Sequence, residues 1–215
     1  MLGVKILLGD TRKLSWLKRI KEYRWGRMFA VAAPPTPYSG EPWGFDNGAF
    51  KAWQDKAPWD EDFFLKRLDR AICKGPPYLA VVPDIVAEGE RSLEFSERWR
   101  EKLPADWPWF LAVQDGMAVD QVAPLVRHYA GIFLGGTNTF KATARKWCDL
   151  AHKGGKLFHY GRAGTIRKVT HARDVGSDSL DSTSPLWSEE KFQRFVDVVM
   201  NGHEQHRMSF MSRLI

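Results

Sequence analysis

The feature that most restricts this chain is an alternation. Short apolar runs of strand length give way to stripes of helical period, and this repeats about eight times along 215 residues. Val4–Leu8 is the first apolar run, and Ser15–Tyr23 follows as a helix. Met28–Ala32 is a second strand, stopped by Pro34-Pro35-Thr36-Pro37, where the prolines forbid helix. Trp43 to Phe50 reads as a third strand carrying Asp46, and Tyr78–Asp84 as a fourth. Between them Asp60–Lys74 has Phe64, Leu68, Ala71 and Ile72 at helical spacing, with Gly75 as a stop.

The pattern continues with a helix carrying Phe95, Trp99 and Leu103. It is followed by a strand at Trp109–Gln114 and a stripe of Val122, Leu125, Val126 and Tyr129 that predicts another helix. Gly131–Gly136, Leu157–Gly161 and Val175–Ser182 are the remaining strands. Helices over Ala144–Ala151 and around Ile166–Arg173 separate them, and a last helix opens at Ser188 and stops at Gly202. Near-continuous apolar strands alternating with helices mean a parallel sheet covered on both faces. The count favours an α/β fold of one domain over residues 1–215, a compact (β/α)8 TIM-type barrel, over an open doubly wound sheet. Residues 203–215 read as a short helix or C-terminal arm.

Composition narrows the class. Hydrophobic residues make up 44% and charged residues 27%, as in ordinary soluble domains. No apolar run approaches the roughly 18 residues of a membrane span, and Met1–Leu8 is too short and too soon polar for a signal peptide, so a cytoplasmic location is expected. Cys73 and Cys148, the two cysteines, lie far apart in helical patterns and read as buried thiols, with no zinc-ligand spacing. The ten tryptophans read mostly as core and barrel-end packing.

A formal net charge of +6 and a pI of about 9.3 allow an anionic partner. The basic residues cluster twice, over Arg12–Arg27 and over Lys141–Arg173. Arg145, Lys146, Arg162, Arg167 and Lys168 of the second cluster are the candidate contacts to a nucleic-acid backbone. Neither a dinucleotide G-x-G-x-x-G after the first strand nor a phosphate-loop motif occurs, and no cofactor or metal is expected.

In a barrel the residues just past each strand converge on one face. Here they are Asp46, Asp84, Gln114, Gly135-Gly136, Tyr160-Gly161 and Asp181. Two carboxylates suit substitution at a sugar carbon, one as nucleophile and the other managing the proton of the leaving or entering group. A further carboxylate suits a guanine-like edge, accepting from N1–H and the exocyclic amine, while an amide or backbone N–H donates to the carbonyl. Phe50 and Tyr160 offer faces to sandwich a base.

Five short motifs in order, Asp46-Asn47-Gly48-Ala49-Phe50, Val82–Val86, Val113–Met117, Leu134-Gly135-Gly136 and Gly176–Thr183, resemble those of the tRNA-guanine (queuine) transglycosylases, from the third strand to the eighth. The resemblance implies an enzyme that exchanges guanine in a nucleic acid for a 7-deazaguanine base. It implies Asp181 as nucleophile on C1′ and Asp46 as general acid/base. Asp84, Gln114 and the Gly135-Gly136 backbone would hold the base, Phe50 would stack on it with Tyr160 opposite, and Asp178 would have a supporting role.

The chain departs from the tRNA enzymes in three ways. It is much shorter, it lacks their C-x-C-x-x-C…His zinc site, and it has Asn47-Gly48-Ala49 where they have Ser-Gly-Gly. A short zinc-free form is similar to the phage and bacterial relatives that act on DNA. DNA is therefore the expected partner ahead of tRNA, in a host cytoplasm if phage-encoded, and a homodimer is left open. Two other readings are a barrel that binds nucleic acid without catalysis and a metal hydrolase drawing on His152, His159 or His171.

Overall fold

The computed structural model describes residues 4–30 and 34–211, with side chains to residue 200. Eight parallel strands close into a barrel in sequence order: β1 (Lys5–Gly9), β2 (Gly26–Phe29), β3 (Gly44–Phe45), β4 (Leu79–Val81), β5 (Trp109–Val113), β6 (Gly131–Leu134), β7 (Leu157–Tyr160) and β8 (Ser179–Ser182). Ring closure pairs Leu7 with Asp181 and Leu8 with Ser182. The helices are α1 (Leu14–Glu22), α2 (Ala49–Gln54), α3 (Glu61–Ile72), α4 (Gly89–Arg100), α5 (Val119–Val122), α6 (Asn138–Lys141), α7 (Ala144–Lys153), α8 (Ile166–Asp174) and α9 (Glu189–Met211). No helix among the described residues is long and apolar enough to cross a membrane.

Side chains alternate along each strand, so each strand feeds two cores. Leu7, Met28, Leu79, Val81, Phe110 and Ala112 fill the barrel interior. Ile6, Phe29, Leu111, Phe158 and Leu180 face outward into a larger core beneath the helices. The interior is narrow enough to need gaps. A Cβ on Gly131 would come within 2.4 Å of the Phe110 ring, so the glycine makes room for the phenylalanine. Seven of the tryptophans (16, 25, 43, 99, 107, 109 and 147) are buried; Trp53 and Trp187 are exposed. Trp16 stacks on Phe192 and Trp25 meets Phe195 edge-on, which docks α9.

The structure departs from the sequence expectations in several places. β3 ends at Phe45; Asp46-Asn47-Gly48 is a turn, and Ala49 and Phe50 open α2. Gly48 sits at φ +78, which only glycine adopts at little cost. The Val122–Tyr129 stripe is broken into α5 and a 3-10 turn at Val126–His128, because Pro124 lacks an N–H and crowds the preceding turn. Ser188 does cap α9, accepting from the Lys191 N–H at 3.2 Å, but the helix runs through Gly202 to Met211. A glycine inside a helix costs only about 1 kcal/mol, less than a helix stop requires. The proposed arm at 203–215 is thus helical backbone to Met211, and its last four residues lie outside the described residues, as do Val31 and Ala32 of the expected second strand. Cys148 is buried, but Cys73 is exposed at the end of α3.

Candidate active site

At the carboxyl end of the barrel a pocket is lined by Asp46, Phe50, Asp84, Gln114, Gly136, Arg162 and Asp181, with Phe133 and Met28 below. The fold thus brings together, from β3, β4, β5, β6, β7 and β8, most of the residues that the strand-end pattern singles out.

Asp181 points inward from β8. Its Oδ1 accepts from His159 Nε2 at 3.0 Å and from the Arg162 N–H at 2.9 Å. His159 faces the same interior from β7, is fully buried, shares a hydrogen bond of 2.8 Å with Ser179, and stacks on Phe133 at 4.8 Å. Burial works against the Asp181 charge. The His159 hydrogen bond and charge, the Arg162 N–H and the Lys141 ammonium outweigh it and hold the carboxyl below its usual range.

Asp46 goes the other way. Enclosure by protein and the like charge of Asp181 raise it, against hydrogen bonds from the Gly48 and Asn47 N–H groups and the pull of Arg162. The two acids are therefore split, one held ionised and one held toward the protonated form. Environments that push two carboxyls apart in this way separate a nucleophile from an acid.

Asp84 is buried beside them and pushed up to about 6, mainly by burial. Its two oxygens accept from Asn47 Nδ2 at 2.7 Å and Gln114 Nε2 at 2.9 Å. Asn47 also donates to the Val82 carbonyl at 2.7 Å and accepts from the Ala49 N–H at 2.8 Å. This ties the Asp46 turn to β4. Gln114 is saturated: its amide nitrogen also reaches the Ile85 carbonyl and Ser92 Oγ, and its oxygen accepts from the Ala87 N–H at 2.7 Å. Expected to donate to a base, Gln114 instead holds Asp84 and the loop after β4.

Arg162 has φ +53, which is uncommon outside glycine. That conformation aims its backbone N–H at Asp181 while its side chain crosses the pocket mouth. The guanidinium lies 3.6 Å from the centre of the Phe50 ring and donates to the Gly136 carbonyl at 3.0 Å.

Other expectations are corrected. Tyr160 does not face Phe50; strand alternation turns it outward, where it is buried against His171 and beneath the Lys141 ammonium. Arg145, exposed on α7, caps the end of α8 by donating to the Val175 and Asp174 carbonyls, which commits part of its guanidinium to the fold, and it does not line the pocket. Lys146 lies over Trp147 on α7, away from the pocket lining. Arg27, counted in the first basic cluster, is buried and doubly bonded to Glu41. Arg162 and Lys168 do line cavities at the site, and Arg167 lines a neighbouring one. Asp178 has a supporting part at the other end of β8's run: it accepts from the Phe158 N–H and pairs with His152. The three histidines are dispersed, and among the described residues no group of three His, Cys, Asp or Glu is placed to hold a metal.

Two residues of the site carry other roles in the sequence reading, His159 as a possible metal ligand and Lys141 as a member of the second basic cluster. His159 sits in register with Ser179 of the neighbouring β8, two residues before Asp181, and a pairing register is not readable from one strand. Lys141 reads only as one cation of a cluster, yet it is buried and pulled down to about 7 by desolvation and by Arg162.

The fold and this acid cluster define a (β/α)8 barrel with a polar pocket at the carboxyl ends of its strands. No protein-family model matches the chain, and no curated protein matches it. Among solved structures, RipC from Yersinia pestis is 12% identical, with a TM-score of 0.51 over 89% of this chain and 94% of its own. A chain of the Amycolatopsis orientalis BexX/CysO complex is 12% identical, with a TM-score of 0.57 over 93% of this chain and 89% of its own. At such identity the likeness is one of fold.

Proposed function

We propose that the chain is a base-exchange transglycosylase that replaces guanine in DNA with a 7-deazaguanine base through a covalent aspartyl-glycosyl intermediate. The observation that carries the reading is the split pair: Asp181 held ionised beside Asp46 held toward its protonated form. The Asp181 carboxylate attacks C1′ as the C1′–N9 bond breaks, and Asp46 gives its proton to the departing guanine. Asp46, now a carboxylate, takes the N9 proton of the entering 7-deazaguanine. That nitrogen then attacks C1′ and releases Asp181.

Asp84 has the chemistry for the N1–H and amine edge of either purine, and its two amide partners fix its plane. Phe50 supplies the stacking face, and a base can use it only after Arg162 swings aside. In duplex DNA the target must also leave the stack, at a cost of a few kcal/mol.

The test is exchange of labelled guanine into DNA and tRNA side by side, with denaturing gels to catch the adduct. Exchange into DNA is expected, with an adduct in the native protein and neither in Asp181→Ala, which keeps its fold. Exchange into tRNA alone moves the substrate. Salt-sensitive DNA binding with no exchange and no adduct leaves a binding barrel and overturns the enzyme.

A further inference from the structure

A second cavity adjoins the base pocket and shares Phe50, Val86, Gln114, Gly136 and Arg162 with it. Three cations line it: Arg162, Lys141 and Lys168. Lys141 is only 2% exposed. Its ammonium donates to the Gly161 carbonyl and lies 5.1 Å from the centre of the Tyr160 ring. An ammonium carries three donors, so two remain for a ligand.

None of the three cations forms an ion pair with a carboxylate among the described residues. The acid in the lining, Asp115, is engaged by the Thr137 N–H at 2.7 Å and the Thr137 hydroxyl at 2.6 Å. Asp181 is committed to His159 and the Arg162 N–H. Lys141 is buried, and Arg162 and Lys168 are half-buried. Asp181 bears on Lys141, and Asp181, Asp46, Asp84 and Asp115 bear on Arg162, yet three basic groups converging on one cavity give it a field that favours an anion. Lys141 and Lys168 also line the next cavity outward, with Arg167, His171 and one acid, Asp174, which pairs with Arg173, so the lining along α6 and α8 stays mainly basic.

We propose that this cavity is the subsite for the phosphate of the nucleotide whose base fills the neighbouring pocket. The inference rests on the base-exchange reading for the identity of that nucleotide. The cavities are contiguous, as base and phosphate of one nucleotide are, and Arg162 borders both. When Arg162 leaves Phe50 to admit a base, its guanidinium has an anion to meet in the adjoining space. A carboxylate on the entering base carries the same charge, so the test separates the two sources.

Titration calorimetry on the full chain would compare dGMP with deoxyguanosine, inorganic phosphate alone, and 7-deazaguanine with its 7-carboxy derivative. dGMP is expected to bind about tenfold or more tightly than deoxyguanosine, the scale of a hydrogen bond to a charged group. Lys141→Met removes that gain and the weak binding of inorganic phosphate. Lys168→Gln, a change nearer the surface, reduces both and guards against a folding defect in the buried variant. Equal affinity for dGMP and deoxyguanosine overturns the subsite, as does a gain confined to the carboxylated base. If deoxyguanosine fails to bind while phosphate binds through Lys141, the base reading falls and the anion site stands. If neither binds, the subsite falls as well.

Discussion

His159 shows how much of this site depends on a single neighbour. It reaches Asp181 from the adjacent strand and is clamped between Ser179 and Phe133. As a positioning residue it should show itself in the pH profile. In His159→Phe the Asp181 carboxyl loses a partner that favours its charge, so its pKa rises. On the base-exchange reading the acid limb of the rate should then move to higher pH, with kcat down about tenfold to a hundredfold. His159→Gln, whose amide can still donate to Asp181, should restore much of the loss. A uniform drop with an unmoved acid limb would instead mark a packing residue.

Asp84 gives a second residue-scale prediction, this time in stability. Its folded-state pKa of about 6 lies above the ordinary 3.8. The folded chain therefore holds more protons than the unfolded one between about pH 4 and pH 6, and stability falls as pH rises through that window. The fall is roughly 3 kcal/mol at most, at 1.36 kcal/mol per pKa unit. Asp84→Asn should flatten the curve of urea midpoint against pH there, even though it loses one of the two amide contacts. A slope unchanged by the substitution would assign it elsewhere.

The elements were legible to different degrees. Strands with a buried run, such as β5, and helices with a clear stripe, such as α7, appear where periodicity puts them. The failures have local causes. Pro124 cuts a stripe that is otherwise sound, and Gly48 turns what reads as strand into a helix start. Tyr160 was misplaced because strand residues alternate between two buried faces here, and apolar character does not say which face is the pocket. Arg145 shows that a cation in a basic cluster reads the same whether or not it also meets a helix end. Its position at the end of α8 predicts that Arg145→Ala costs about 1 kcal/mol, or about 2–4 °C in Tm for a chain of this size. DNA affinity, measured by fluorescence anisotropy, should not change.

At the scale of the whole molecule, closure of the barrel turns scattered residues into one site. Leu7 beside Asp181 is the seam, and it brings the last strand against the first. The same closure sorts the net charge of +6: some cations are spent internally, as Arg27 is on Glu41, while Arg162, Lys168 and Arg167 border the site and its neighbouring cavity. Binding to single-stranded DNA should weaken linearly in log salt, with a slope of about 0.7 per phosphate neutralised. The double variant Arg167→Gln, Lys168→Gln should make that slope shallower by roughly 1 to 1.5. An unchanged slope would place the strand on another face.

The sequence by itself determined the alternation of strands and helices, hence the barrel, and it marked the acids at the strand ends. Both are local properties, readable from period and from position just past an apolar run. Only the tertiary structure decided which acid is charged, which aromatic faces the pocket, and that His159 and Lys141 belong to the site. Those depend on register and burial, which place a residue among neighbours far away in the chain. Asp46 and Asp181 are 135 positions apart by their numbering, and what separates their protonation is the company each keeps where the barrel closes.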